Sequence, residues 1–142
     1  MRKRLTRLSV LGLSVLGLAG ALVCGSAFAA DEYLFDALKK PAYRKAWNAM
    51  LAREKNIPAW ITTFSRTYNG VASPVQTVTV SGKAYLSGYV CKPHDCADNA
   101  LQVFFSENAA GATAVIRQDG KLRYLGAPDA AIKAALDDAI GK

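Results

Sequence analysis

Residues 75–91 read Val75-Gln76-Thr77-Val78-Thr79-Val80-Ser81-Gly82-Lys83-Ala84-Tyr85-Leu86-Ser87-Gly88-Tyr89-Val90-Cys91. The first six are rich in β-branched side chains, which fit a pleated surface better than a helix. Ser81-Gly82 reads as a tight turn, and Lys83 to Cys91 as the strand that returns from it. Side chains alternate across a strand, so Tyr85, Ser87, Tyr89 and Cys91 share one face while Ala84, Leu86, Gly88 and Val90 share the other. Two such runs joined by so short a turn pair antiparallel.

Downstream, a third strand is predicted over Leu101 to Glu107. Residues 112–117 and 121–125 flank Gln118-Asp119-Gly120, a strong hairpin signal. The chain closes on Pro128 to Ile140, where Ile132, Ala135, Leu136, Ala139 and Ile140 recur at helical spacing. Upstream, Asp31 and Glu32 favour a helix start by complementing its dipole. Pro41 suits the first turn of a second helix, whose apolar stripe is Tyr43, Ala46, Trp47, Met50 and Leu51. Asn56 to Pro58 ends that helix, since proline disfavours helical geometry in the residue before it. Trp47 reads as a core anchor on the stripe, and Trp60 as another at a helix-to-strand passage. Tyr85 and Tyr89 fit either the core or the flank of a binding surface. The expected fold class is α+β, one domain with an antiparallel sheet of about five strands flanked by helices.

The first thirty residues set the compartment. Arg2, Lys3, Arg4 and Arg7 precede an apolar run from Leu8 to Val23, followed by Ala27-Phe28-Ala29. That is the pattern of a cleaved secretory signal over residues 1–29. The apolar run, about 16 residues, is shorter than the roughly 20 of a spanning helix. Val23 before Cys24 fits a lipoprotein signal poorly. The remaining chain, 30–142, has room for one modest core. The whole chain carries +7, but without the four basic leader residues 14 Lys+Arg face 11 Asp+Glu. Those charges are scattered, so nucleic acid is not an expected partner, and no membrane contact is expected once the leader is removed.

Cys91-Lys92-Pro93-His94-Asp95-Cys96 holds both cysteines outside the leader and the sole histidine. In an oxidising periplasm the default is a Cys91–Cys96 disulfide. It closes a short loop that Pro93 stiffens by fixing its own φ. No nucleophile elbow, phosphate-binding glycine loop or dinucleotide fingerprint follows residue 30, so an enzyme is not expected. Reduced Cys91 and Cys96 with His94 could offer a soft metal site, yet nothing completes the set; no metal or cofactor is expected. The spacing CxxxxC departs from the CxxC of thiol–disulfide enzymes. A ring this small stabilises by only about 2 kcal/mol. On the residues alone, a structural staple and a functional loop stand level.

These six residues match, position for position, the inhibitory loop of the inhibitor of vertebrate lysozyme family, the periplasmic Ivy-type inhibitors of C-type lysozyme. Pro58-Ala59-Trp60 and Gln76-Thr77-Val78-Thr79-Val80 add to the resemblance, which covers roughly residues 40–107. It implies that 30–142 is a lysozyme-inhibitor domain without catalysis, whose partner is C-type lysozyme. Residues Cys91, Lys92, Pro93, His94, Asp95 and Cys96 would form the inhibitory loop, entering the enzyme's cleft and so protecting peptidoglycan from host defence. His94 would be the key residue, engaging the catalytic carboxyls. Asp95 would bond loop N–H groups or a cation on the cleft wall, and Lys92 has no evident role. The alternative is a periplasmic protein that binds a metal or a wall fragment. A homodimer stays open.

Overall fold

A computed structural model describes residues 31–141; the predicted leader 1–29 and Cys24 lie outside them. The chain runs α1 (Leu34–Ala37), α2 (Pro41–Ala52), α3 (Ala59–Thr67), β1 (Val71–Ala72), β2 (Gln76–Val80), β3 (Lys83–Cys91), β4 (Asn99–Phe105), a 3₁₀ turn (Glu107–Ala109), β5 (Ala112–Gln118), β6 (Lys121–Leu125) and α4 (Ala130–Ile140). The six strands form one antiparallel sheet in the order β1-β3-β4-β5-β6, with β2 also pairing with β3. The meander is as expected, and the sixth strand has a simple origin. Both β1 and β2 lie along the same edge of β3, one opposite Val90–Cys91 and the other opposite Lys83–Ser87. Pro74, between them, has no N–H to donate to a ladder.

Both tight turns have the backbone their sequences ask for. Ser81-Gly82 (φ 49° and 76°) joins β2 to β3, and Asp119-Gly120 (φ 49° and 73°) joins β5 to β6. Two consecutive positive φ values mark the type I′ turn, whose twist matches that of the strands it joins.

Alternation along the strands sorts the core into two layers. Val90, Leu101, Val103, Phe105, Ile116 and Leu125 face Leu34 of α1, Trp47 and Met50 of α2, and Ile61 and Phe64 of α3. On the opposite face, Cys91, Ala100, Phe104 and Val115 pack against Ile132, Leu136 and Ile140 of α4. Every residue of β4 is buried. The stripe read from the sequence of α2 is the buried one, with Ala46, Trp47 and Met50 inside and Tyr43 and Leu51 half-buried. Asp129 caps α4, its carboxylate accepting from the Ile132 N–H at 2.9 Å, a contact that supplies one of the helix's orphan donors.

Three expectations need correction. The first helix begins at Leu34 rather than at Asp31, because the Glu32 carbonyl accepts from Val75 N–H and Tyr33 bridges to Pro74. That pairing holds residues 32–33 extended. The passage at Trp60 is a helix, α3, with Pro58 at its N-cap and Trp60 half-buried against the core. Thr62, Thr63 and Ile61 have weak helix propensity, but the i, i+3, i+7 spacing of Ile61, Phe64 and Tyr68 carries the apolar face. The third strand also starts and ends two residues earlier than expected, since Ser106 turns the chain by bonding Gly111 at both N–H and C=O.

Gly126 closes β6 at φ +74°, and a Cβ there would lie 2.5 Å from the Ala112 carbonyl oxygen. Gly82 has a similar φ with nothing within 4 Å of its Cβ position. Gly82→Ala should therefore cost only the left-handed backbone penalty, about 1–2 kcal/mol. Gly126→Ala adds overpacking of about 1–3 kcal/mol. Urea unfolding of the two variants checks the order; equal midpoints would show that β6 is not seated against β5 as described.

Candidate functional site

The loop joining β3 to β4 begins at Cys91, the last residue of β3, and Cys91 is disulfide-bonded to Cys96 with Cα atoms 4.9 Å apart. Inside this ring the Asp95 N–H donates to the Lys92 carbonyl at 3.0 Å, making a β-turn with Pro93 and His94 at its centre. His94 has φ +63°. A proline followed by a positive φ is the pattern of a type II turn, whose second central position favours glycine. Histidine accepts that region more readily than most side chains, but at a conformational cost, and such costs cluster at functional positions. His94 is exposed, whereas Lys92, Pro93, Asp95 and Cys96 are each half-buried. The turn therefore places the imidazole at its apex.

Below the apex the loop is clamped. Lys92 Nζ donates to Asp95 Oδ2 at 2.8 Å, and Asn99 Nδ2 donates to the same oxygen at 2.9 Å. Backbone bonds add to this: Lys92 N–H to the Asn99 carbonyl and Asn99 N–H to the Asp95 carbonyl, each at 3.0 Å. Asn99 is a buried polar residue, and its amide is satisfied by this contact, as buried polar groups generally are. From β5, Arg117 sends one guanidinium N–H to the Cys96 carbonyl and another to the Ile140 carbonyl, both at 3.2 Å. The loop is thereby tied to the end of α4.

These contacts revise two assignments. Lys92, without a role on sequence grounds, is an internal counter-charge. The Asp95 side chain is held by Lys92 and Asn99 side chains rather than by backbone N–H groups. The spacings Lys92–Asp95 and Asp95–Asn99 could have suggested both pairs; Arg117, twenty-one residues from Cys96, left no such trace. The sulfurs of Cys91 and Cys96 bond each other, so the soft donor set weighed for a metal is not on offer. The two tyrosines pack against the α4-side core, Tyr85 with its ring centroid 6.1 Å from that of Phe104. Trp47 is buried and donates from Nε1 to Ser65 Oγ at 2.9 Å. Trp60 is a core residue too, though half-buried.

The sequence model of the family described as inhibitor of vertebrate lysozyme matches residues 42–142, a span that contains the whole ring and the sheet that carries it. The chain belongs to the inhibitor of vertebrate lysozyme family. Among its relatives is an inhibitor of vertebrate lysozyme from Pseudomonas aeruginosa, 34% identical over 99 residues, covering 68% of this chain and 62% of that protein. The inhibitor of vertebrate lysozyme from Escherichia coli (strain K12) is 31% identical over 91 residues, 64% of this chain and 55% of that one. An uncharacterised Pseudomonas aeruginosa protein is 31% identical over 139 residues, 85% of this chain and 87% of its own length. The chain thus spans less than two thirds of the two named inhibitors it resembles.

The clamp has a pH signature. The hydrogen bond from Lys92 holds the Asp95 carboxyl below its ordinary range, against a smaller upward push from burial and with further help from Asn99. In turn, the Asp95 bond raises Lys92. A lowered carboxyl stabilises the folded loop above its ordinary range, and loses that effect as pH falls through the lowered value. A raised amine stabilises below its ordinary value and loses the effect as pH rises through the raised one. The clamp should thus persist across the whole neutral range. Carboxyl NMR titration should give Asp95 a midpoint below the ordinary carboxylate range, and Lys92→Ala should raise it. A midpoint unmoved by that substitution would rule the ion pair out.

Proposed function

We propose that this protein inhibits C-type lysozyme by inserting the ring 91–96 into the enzyme's catalytic cleft, with His94 meeting the catalytic carboxyl groups. The observation that carries the reading is the exposed His94 at the apex of a clamped, disulfide-closed turn. Family membership and the printed names of two relatives support the class of target. Lysozymes of this class cut peptidoglycan with a carboxylic acid of raised pKa beside an ionised carboxylate. A protonated imidazole donates from both ring nitrogens and so can bond two carboxyl groups at once. The protein contributes no chemistry of its own in this scheme: it fills the site and withholds the two groups from substrate.

Rigidity is what makes so small an element effective. A flexible loop loses conformational freedom on binding, and preorganisation removes most of that cost. Here the disulfide, Pro93 and the Asp95 clamp act before the enzyme arrives. The setting we propose is the bacterial periplasm, reached through the leader read over residues 1–29, where inhibition shields the wall from host lysozyme.

Two comparisons test the reading. His94→Gly keeps the positive φ the turn requires, so it should fold at least as well as wild type while losing the imidazole. Breaking one side of a buried charge-assisted pair costs about 2–5 kcal/mol, roughly 30- to several-thousand-fold in affinity, mostly through faster dissociation. Lysis assays on cell-wall substrate and surface-binding kinetics would read this, with Lys92→Ala expected to lose much less. Full inhibition by folded His94→Gly would remove the imidazole from the mechanism. Separately, mild reduction of Cys91–Cys96 should weaken inhibition while circular dichroism still reports a folded sheet; inhibition unaffected by reduction would remove the ring from it.

A further inference from the structure

A ring of six residues is too small to hold an enzyme by itself. Stable inhibitor complexes bury about 1,600 Å² in total, so further surface must take part. Among the described residues, the exposed large hydrophobic side chains are Val71 (50% exposed) and Leu122 (45%). Single exposed hydrophobics are ordinary on protein surfaces, and either one alone would mean nothing. Their positions in the sheet are not independent of the ring, however. Val71 pairs with Cys91, Cys91 with Ala100, Ala100 with Arg117, and Arg117 with Leu122. Residues in register share a face of a sheet, so all five lie on one row and one side. That row starts the disulfide ring at Cys91, and its Arg117 holds the ring's Cys96 carbonyl. Four strand spacings separate the ends of the row, about 19 Å at roughly 4.8 Å per spacing, and the ring leaves the sheet between them, from β3 into β4, beside the end of α4 that covers the middle of this face.

We propose that Val71 and Leu122 are two further contact residues for the enzyme that the ring enters, flanking His94 so that the ring fills the cleft while they meet its two lips. This inference rests on the lysozyme-inhibitor reading. It assigns the partner by continuity with the ring and by the area that the ring alone cannot supply. Apolar anchors on either side of a polar plug also suit an interface, where a few buried side chains carry most of the affinity.

The test uses the full mature protein and hen egg-white lysozyme as the probe. Val71→Asp and Leu122→Asp should each weaken binding at least tenfold with the unfolding midpoint unchanged, because both side chains are exposed. Thr79→Asp, an exposed position at the far end of β2, should leave binding as it was. If wild type binds and the His94 variant does not, but both row variants bind like wild type, this inference fails and the ring mechanism stands. If wild type does not bind, the underlying reading fails and this inference with it. Sedimentation gives the remaining outcome: a wild-type dimer that either row variant dissociates, with lysozyme affinity unchanged, would assign the row to a second copy of the chain and overturn the proposal.

Discussion

Everything in this molecule is arranged around a strand that is buried along its whole length. All seven residues of β4 are buried, so both faces of the sheet must be covered and neither helix layer is optional. Leu101, Val103 and Phe105 require α1 to α3 on one side; Ala100 and Phe104 require α4 on the other. A sheet half-covered would expose several large apolar side chains at about 1.5–3 kcal/mol each. The buried polar residues on this strand are paired rather than orphaned, Gln102 donating to Ser87 Oγ at 2.7 Å and Asn99 to Asp95. Asn99 therefore belongs to the core and to the loop at once. Through it, the rigidity of the central strand extends into the ring.

The sheet was legible in the sequence because its information is local. Alternation over 83–91, the β-branched run before it and two turns with glycine in second place fix strands, faces and register between neighbours. The stripe of α2 was legible for the same reason. What escaped depends on partners distant in the chain. Residues 32–33 look like a helix start until the backbone at 74–75 claims them. The helix Ala59–Thr67 contains four β-branched residues and acquires its stability from Trp47, Val90 and the rest of the core rather than from propensity.

The loop divides along the same line. Its disulfide and its exposed histidine follow from a hexapeptide and from the compartment that the leader implies. The internal clamp lies within residues 92–99, at spacings that carry a meaning on inspection, yet a lysine and an aspartate near each other on a loop are usually solvated separately. Arg117 is legible only in three dimensions. It joins the C-terminal end of α4 to the ring across the sheet, so a helix that the sequence presents as mere cover also braces the ring.

The locality of the ring's contacts has a consequence for transplantation. The segment leaves and rejoins the sheet at paired positions: Cys91 stands opposite Ala100 on the neighbouring antiparallel strand, and Lys92 N–H donates to the Asn99 carbonyl at 3.0 Å. Most of what shapes it, including the turn, the ion pair and the Asn99 contacts, lies within residues 91–99. Residues 91–99 thus form a cassette that an unrelated antiparallel hairpin with a buried asparagine site at its exit could host. The recipient would need to supply only one outside donor in place of Arg117. A host scaffold chosen for heat resistance would then display the same imidazole at the tip of a much hardier protein.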